Sequence, residues 1–249
     1  MVFKIPQALC AFALILGLAA GLGCPAWADE FPKPDAQGGV EVSLKTDNQT
    51  LVIFLSGDGG WWGDLDAQLA DHLAKNGYAV LGLDTNVWFD SARQPAEVAA
   101  RIDTMIRDYQ TTTRVKHVML IGYSFGADMV PLVYNRLPKR ERSLVNGFIL
   151  IAPGRLAALQ VTLAERTGIE QGTLDLAPEL AKLPRAKTRC IYGTDEAADS
   201  GCMLDAIKPA LRIGLPGGHH FNNDMDLLRQ TILKIAQDFT QANPASLRW

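Results

Sequence analysis

The amino-acid sequence predicts an α/β fold with a mostly parallel central sheet and helices on both faces. Short apolar runs alternate along the chain with stretches whose apolar residues recur at helical spacing. The runs are apolar throughout, which is typical of strands that are covered on both faces. With 249 residues and 48% hydrophobic content, the chain is large enough for one domain with a full core.

The elements of this fold can be placed in order along the chain. Residues 40–44 alternate apolar and polar side chains and predict an edge strand, whereas residues 51–55 predict a buried one. Further strands are expected at residues 78–83, 117–121, 147–152, 190–192 and 211–213. Helices are expected at residues 65–73, 96–109, 127–136 and 227–239. Residues 153–185 interrupt the alternation with several glycines and prolines, and we expect them to form a lid insertion.

The first 28 residues are predicted to be a secretory signal peptide, followed by the α/β domain over residues 29–249. Lys4 provides a short positive region, residues 9–23 are apolar, and Ala28 ends a small-residue cleavage site. An uncleaved N-terminal anchor and a lipid-modified Cys24 are alternative interpretations, which the short apolar stretch and a poor lipobox disfavour. The expected location is an export compartment outside the cytoplasm.

The charge of the chain argues against some classes of partner. The net charge is −3, and it becomes −4 when Lys4 leaves with the signal peptide. A surface that binds nucleic acid needs a basic field, so nucleic acid is not an expected partner. The same charge argues against simple electrostatic adhesion to anionic lipid.

The segment Gly122-Tyr123-Ser124-Phe125-Gly126 is the strongest indication of chemistry. It lies between an apolar run and a helix-compatible stretch, and strand, G-x-S-x-G, helix is the context of a nucleophile elbow. A side chain at Gly122 or Gly126 would collide with neighbouring backbone in so sharp a turn. Ser124 is therefore the predicted nucleophile, and the alternative is a chance match in a glycine-containing turn.

A serine hydroxyl needs a base, and the base needs an acid that orients it. His219 and His220 directly follow the last predicted strand, and we prefer His219 because it comes directly after a small-residue turn. Glu196 is the preferred acid because it is the third residue after the glycine that ends the preceding strand, with Asp195 and Asp199 as alternatives. The chain order serine, acid, histidine is that of hydrolases with a nucleophile elbow.

Two cysteines follow the signal peptide, and they are expected to form a disulfide. Cys190 and Cys202 would reside in an oxidising compartment, where an even count of two favours one bond over two buried thiols. Such a bond would brace the loop of the predicted acid. No cysteine or histidine pair has the spacing of metal ligands, so no metal or cofactor is expected.

An oxyanion in this type of site is held by two N–H donors. The predicted donors are the amides of Phe125, directly after the nucleophile, and of Asp58, in the glycine-rich segment after residues 51–55. Gly59 is the alternative to Asp58. The segment lacks the G-K-[ST] ending of a phosphate-binding loop, so nucleotide binding is not expected.

Aromatic and acidic residues near these segments are candidates for substrate binding. Trp61, Trp62, Trp88 and Phe89 follow two central strands, and they form either core packing or an aromatic mouth for an apolar substrate. Asp128 lies in the first turn after the nucleophile. It is predicted either to interact with the helix dipole or to receive a cationic group of the substrate.

Four stretches of the sequence resemble the VirJ/AcvB family of exported bacterial virulence proteins. They are residues 56–61 (SGDGGW), 122–128 (GYSFGAD), 134–138 (YNRLP) and 217–221 (GGHHF). The length of the chain resembles the short, single-domain VirJ form, whereas residues 155–172 depart from the family pattern. The resemblance implies an α/β-hydrolase fold in the periplasm.

The resemblance also implies a function. The resemblance to AcvB-like members implies hydrolysis of lysyl-phosphatidylglycerol. We therefore expect a serine esterase that acts on a lipid ester at the membrane surface. VirJ-like members imply association with type IV secretion substrates or machinery, so a non-catalytic adaptor is the alternative. A complete set of serine, acid and histidine favours the esterase, because an adaptor does not need all three.

Overall fold

The computed structural model of the protein describes residues 31–61, 64–113, 115–162 and 172–241. These residues form a seven-stranded sheet and a small two-stranded sheet. The strands are β1 (Gly39–Ser43), β2 (Thr50–Leu55), β3 (Ala79–Leu83), β4 (His117–Tyr123), β5 (Val145–Ile151), β6 (Leu156–Ala157), β7 (Leu174–Asp175), β8 (Thr188–Gly193) and β9 (Arg212–Leu215).

The large sheet confirms the predicted fold class. Its strand order is β1-β3-β2-β4-β5-β8-β9, and β6 pairs with β7 in the small sheet. Strand β1 is antiparallel to β3, while all other neighbours in the large sheet are parallel. The alternating segment at residues 40–44 therefore marks an edge strand, as predicted.

Four long helices correspond to the four predicted ones. The helices are α1 (Asp64–Lys75), α2 (Thr85–Trp88), α3 (Pro95–Thr112), α4 (Phe125–Tyr134), α5 (Lys139–Leu144), α6 (Ala177–Leu180) and α7 (Met225–Gln241). Helix α3 begins at a capping box formed by Gln94 and Glu97, with Pro95 at its first position. The sequence did not predict α2, α5 and α6, because one or two turns are too short to show helical periodicity.

Helices cover both faces of the sheet, and the side chains of β2 show how. Leu51, Ile53 and Leu55 belong to a core cluster with residues of α3 and α4. The alternate residues Val52 and Phe54 are equally buried on the opposite face. A strand that is apolar throughout thus has its two rows of side chains in two separate layers of core.

The parallel strands bring four loops to one edge of the sheet. Residues 56–60 follow β2, Ser124 follows β4, residues 194–200 follow β8, and residues 216–220 follow β9. Carboxyl ends of parallel strands lie at the same edge, where open α/β sheets hold their ligands. We refer to these four loops together as the rim.

Two features tie segments of the fold together. A disulfide lies near the rim, and a polar cluster lies at the far end of α4. Cys190 in β8 is bonded to Cys202, and both are fully buried, which confirms the predicted pairing. The bond closes the loop that contains Glu196. The polar cluster, which we call the clamp, joins the end of α4 to α6 and consists of Asn135, Arg136, Glu179 and Lys182.

Two of the predicted segments fall wholly or partly outside the described residues. The signal peptide at residues 1–28 lies outside them, as do residues 163–171 of the expected lid. The described remainder of that insertion contains the β6–β7 pair and α6. In the described parts of the chain, no helix combines the length and the apolar character that crossing a membrane requires.

Candidate active site

Ser124 occupies the turn between β4 and α4 in a strained backbone conformation. Its φ and ψ angles are 51° and −120°, a combination that residues with a side chain rarely adopt. The Ser124 amide donates to the carbonyl of Ile151 at 2.8 Å, which fixes the turn to β5. This conformation is the one a nucleophile elbow requires, since it presents the hydroxyl at the carboxyl edge of the sheet.

Close backbone contacts require glycine on both sides of this turn. A Cβ atom at Gly122 would lie 2.3 Å from the carbonyl oxygen of Gly126, and one at Gly126 would lie 2.2 Å from that of Leu55. The collision that the sequence predicts at both positions is therefore confirmed. The contact with Leu55 also shows that α4 begins directly against the loop that follows β2.

The structure brings His219 between Ser124 and Glu196. Nε2 of His219 lies 2.8 Å from Oγ of Ser124, and Nδ1 lies 3.2 Å from Oε2 of Glu196. The carboxylate can only accept, so Nδ1 carries the proton, and Nε2 is left to accept from the serine hydroxyl. A histidine in this geometry can take the proton of a serine nucleophile.

The alternatives for acid and base make other contacts. Asp195 and Asp199 are exposed, and the Asp195 carboxylate accepts a hydrogen bond from the Thr194 hydroxyl at 3.4 Å. His220 places its Nδ1 2.8 Å from Oη of Tyr123. Within the described residues, only the preferred pair, Glu196 and His219, forms a continuous chain of contacts to Ser124.

The loops of the acid and the base pack backbone against backbone. The amide of Asp195 donates to the carbonyl of Gly217 at 3.0 Å, and a Cβ atom at Gly193 would lie 2.3 Å from the carbonyl oxygen of Gly218. After the histidines, residues 221–223 adopt left-handed φ angles of 50°, 53° and 59°. Such a turn is held by its surroundings, so tight contacts determine where the imidazole of His219 lies.

The loop after β2 lies beside Ser124, and one of its amides donates to no other described group. A Cβ atom at Gly57 would lie 3.6 Å from Cβ of Ser124. The Gly57 amide donates to the carboxyl group of Asp66 at 3.3 Å, and the Gly57 carbonyl accepts from the Thr85 hydroxyl at 2.7 Å. The amide of Asp58 donates to no group in the described part of the chain. It is therefore available to an oxyanion.

The second predicted oxyanion donor is the amide of Phe125. Phe125 is the first residue of α4, and the amide of a first helical residue has no partner within its own helix. The ring of Phe125 packs edge-on against that of Phe89, with 4.9 Å between the ring centroids. This packing fixes the residue that carries the amide.

Buried polar residues beneath the rim were not singled out by the sequence analysis. Burial raises the pKa of the Asp66 carboxyl well above its usual value, the Gly57 amide opposes this, and the carboxylates of Asp84 and Asp58 add to the rise. Asp84 caps α2 and is fully buried, as is Thr85. Asp84 and Thr85 directly follow β3, so their place at the same sheet edge was a signal that could have identified them.

The aromatic residues near the rim do not share one surface. Trp61 is only 3% exposed, so the structure corrects its expected place in an aromatic mouth and supports core packing instead. Phe89 is fully buried against Phe125. Trp88 is half-buried beneath two arginine side chains. Trp62, the other expected substrate-binding tryptophan, lies outside the described residues.

Asp128 is buried in the first turn of α4. Its carboxyl group accepts a hydrogen bond from the Gly154 amide at 2.8 Å, and the residue is 8% exposed. Burial raises the pKa of Asp128 well above its usual value, and the single amide opposes the rise only in part. The carboxyl links α4 to the segment after β5, and its burial leaves little surface for a cationic group of a substrate.

The exposed part of the rim is acidic. Asp58, Asp195 and Asp199 reach the surface, and none of them forms an ion pair with another described residue. Burial raises the pKa of the Tyr123 phenol, and the carboxylates of Asp66, Glu196 and Asp58 raise it further. This negative potential favours a cationic group. The described residues contain no His, Cys, Asp and Glu cluster suited to a metal ion.

Several solved structures share the fold of this chain. The Pyrococcus furiosus esterase Pf2001 is 13% identical with a TM-score of 0.56, over 81% of this chain and 87% of that one. Est1E from Butyrivibrio proteoclasticus, with ferulic acid bound, is 14% identical with a TM-score of 0.55, over 80% and 92%. MenH from S. aureus is 14% identical with a TM-score of 0.53, over 81% and 97%. At such identities the likeness shows the fold, which is the predicted one.

Sequence comparison adds the family. A search of curated proteins gave no match. The family described as "Bacterial virulence protein (VirJ)" matches residues 49–239, a range that includes the nucleophile turn, the acid loop and both histidines. The resemblance found in four short stretches therefore extends over most of the described fold, and the chain belongs to the VirJ family of bacterial virulence proteins.

Proposed function

We propose that the protein is a periplasmic serine esterase that cleaves an aminoacylated phospholipid such as lysyl-phosphatidylglycerol. The contact of His219 with Ser124 at 2.8 Å and with Glu196 at 3.2 Å is the observation that carries the proposal. A scaffold that only binds a partner has no need of a serine, an imidazole and a carboxylate in series at a strained turn.

The chemistry follows from these contacts. Oγ of Ser124 attacks the ester carbonyl while Nε2 of His219 takes the hydroxyl proton, and the amides of Asp58 and Phe125 hold the oxyanion. The protonated histidine then gives that proton to the leaving alcohol oxygen, which leaves an acyl-enzyme. Water attacks the acyl-enzyme with the same base, so the second half of the reaction releases the amino acid and restores Ser124.

The choice of substrate rests on the charge of the rim. Asp58 is a partly exposed carboxylate beside the nucleophile, and Asp195 and Asp199 extend the same charge along the acid loop. A lysyl ester brings two ammonium groups to this surface, whereas an ordinary lipid ester brings none. Membership of a virulence family and the presence of esterases among proteins of the same fold are consistent with this proposal.

The catalytic proposal is tested with purified protein and lysyl-phosphatidylglycerol in detergent micelles. Ser124→Ala should lower the rate of lysine release by at least about 10³-fold, because the nucleophile is lost. Ser143→Ala is the matched control, since Ser143 is an exposed serine in α5. A serine-reactive fluorophosphonate should label the wild type and the control but not Ser124→Ala. Equal turnover in Ser124→Ala and wild type would refute the mechanism.

The substrate proposal needs a second comparison, between lysyl- and alanyl-phosphatidylglycerol. The two lipids differ in the side-chain ammonium, so Asp58→Asn should lower kcat/KM for the lysyl lipid about two- to fivefold more than for the alanyl lipid. The difference should shrink with added salt, because exposed charges are screened. Equal effects on both lipids would exclude recognition of the side-chain ammonium by Asp58.

Association with type IV secretion components remains a prediction from the family resemblance. A strain without the protein separates it from catalysis when complemented with wild type or Ser124→Ala. If Ser124→Ala restores secretion but not the lipid profile, the adaptor is the physiological role; if it restores neither, hydrolysis is. Fractionation of the same strains tests the expected periplasmic location.

A further inference from the structure

Tyr123 connects three parts of the candidate site although its own side chain lies outside the reacting chain of contacts. It directly precedes Ser124, and it is only 5% exposed. Its Oη lies 3.1 Å from the carbonyl oxygen of His219 and 2.8 Å from Nδ1 of His220. Its ring packs on the loop after β2, where a Cβ atom at Gly57 would lie 3.0 Å from the ring.

The available protons determine which group donates in each of these hydrogen bonds. The carbonyl of His219 can only accept, so the single phenolic proton of Tyr123 goes to it. The phenol oxygen then accepts at 2.8 Å, which requires that Nδ1 of His220 carry a proton. The result is a chain in which the His220 imidazole donates to Tyr123, and Tyr123 donates to the backbone of His219.

This chain fixes the backbone of the base relative to the nucleophile. The rings of Tyr123 and His219 are 5.4 Å apart between centroids, and those of His219 and His220 are 5.6 Å apart. Tyr123 and Ser124 share a peptide bond, so one phenol joins the chain segment of the nucleophile to that of the base. A change of one ångström in such a distance costs up to about 100-fold in rate.

We propose that Tyr123 and His220 are a positioning pair that holds the His219 imidazole in line with the Ser124 hydroxyl. The proposal rests on the esterase function proposed above. It gives a role to the second histidine of the Gly217–Phe221 segment, which the reaction itself does not use. It also explains why an exposed histidine directs its Nδ1 inward to a buried phenol.

The first test removes the hydroxyl and keeps the ring. Tyr123→Phe should lower kcat about 10-fold, with KM unchanged within about twofold, because an aligning hydrogen bond is lost and no substrate contact is touched. Tyr134→Phe is the matched control, since that phenol lies at the far end of α4, and its kcat should equal the wild type. Thermal unfolding of both variants should match the wild type within about 4 °C.

The second test addresses His220 by comparing two substitutions. His220→Asn keeps an N–H donor near the position of Nδ1, and His220→Ala removes it, so the asparagine variant should be about fivefold more active than the alanine variant. The double variant Tyr123→Phe/His220→Ala should be no slower than about twofold below Tyr123→Phe, because the two groups act through one chain.

The outcomes separate this inference from the proposed function. If wild type releases no lysine and takes up no fluorophosphonate, the esterase function fails. If wild type is active but Tyr123→Phe retains full kcat, or if the effects of Tyr123→Phe and His220→Ala multiply, the positioning pair is rejected. A Tyr123→Phe variant that raises KM and leaves kcat unchanged rejects it as well, since that result assigns the phenol to substrate binding.

Discussion

The two ends of helix α4 hold buried carboxyl groups whose pKa values shift in opposite directions: Asp128 lies in the first turn of α4, next to the rim, and Glu179 of α6 belongs to the clamp at the other end. At the start of α4, Asp128 accepts one backbone amide, and burial raises its pKa. At the end of α4, Glu179 is also largely buried, yet its pKa is lowered. Burial alone raises the pKa of Glu179, but hydrogen bonds from Asn135 and Arg136 and the charge of Arg136 lower it further than burial raises it.

Glu179 has several donors and a cationic neighbour, which together outweigh the effect of burial on its pKa, whereas Asp128 is more deeply buried and has a single amide donor. The Glu179 carboxylate accepts from Asn135, from Arg136 at 3.2 Å and from Lys182 at 3.3 Å. Because the carboxylate has several donors, the clamp has a structural role and attaches α6 to the end of α4. At the rim, the described residues leave the Asp58 amide without an acceptor and Asp58, Asp195 and Asp199 without an ion-pair partner, which is the condition for binding something else.

The prediction with the largest expected effect concerns Glu196, the carboxylate of the rim that contacts His219. Glu196→Gln should lower kcat about 10²–10⁴-fold, because the neutral amide no longer stabilises the imidazolium of His219. The matched control is Asp195→Asn in the same loop, which should retain activity within about threefold, since the Asp195 carboxylate makes no contact with His219. Lysine release from the lipid measures both, and the free energy of unfolding should not change. Equal losses in the two variants would mean that the loop, and not Glu196, is what matters.

The second prediction concerns packing at the start of α4. Gly126→Ala places a Cβ atom 2.2 Å from the carbonyl oxygen of Leu55, so we expect it to lower the free energy of unfolding by about 3 kcal/mol or more. Gly59→Ala is the stability control, because a Cβ atom there meets nothing within 4 Å, and it should change stability by less than about 0.5 kcal/mol. Urea unfolding measures both. Equal stabilities would contradict the close contact between α4 and the loop after β2.

The third prediction concerns the clamp. Glu179→Ala should lower the free energy of unfolding by about 1–3 kcal/mol, since Asn135 and Arg136 lose their acceptor, and kcat should stay unchanged. Lys182→Ala is the control, because its side chain is 57% exposed, and it should cost less than about 1 kcal/mol. A large fall in kcat for Glu179→Ala would show that the clamp and the rim are coupled through α4.

The sequence predicted the fold and the three side chains that meet at the rim because both depend on local signals. Apolar runs identify buried strands, and the short distance between Gly122 and Gly126 follows from one sharp turn. The parallel order then brings the ends of β4, β8 and β9 together without any further information. Glu196 and His219 were preferred among neighbouring candidates, and the contacts in the structure agree with that preference.

What the sequence left open depends on contacts between distant segments. The burial of Trp61 follows from packing over β3, and nothing in the order of residues 56–61 distinguishes that from an exposed ring. The support of His219 by Tyr123 joins segments that are 96 residues apart, and the support of Gly57 by Asp66 joins the loop after β2 to helix α1. Polar groups of this kind show no periodicity, so pattern analysis does not identify them.

The fourth prediction separates the two ends of α4 by the pH dependence of stability. The pKa of Asp128 is raised in the folded protein. Its contribution to stability is therefore full below its unfolded pKa of ~4 and is lost as pH rises through the folded pKa. The pKa of Glu179 is lowered in the folded protein. Its contribution to stability is therefore present above its unfolded pKa and is lost as pH falls through the folded pKa. Between pH 4 and 8, Asp128→Asn should therefore gain stability relative to wild type by about 1 kcal/mol or more.

Glu179→Gln serves as the matched comparison. It should become less stable relative to wild type as pH rises from below the folded pKa of Glu179 to about 5, and the difference should stay constant at higher pH. Urea unfolding at a series of pH values measures both slopes. Opposite signs would confirm that the pKa values of the two acids are shifted in opposite directions. Slopes of the same sign would mean that one of the two carboxyl groups exchanges its partners in solution, and the contrast between rim and clamp would have to be given up.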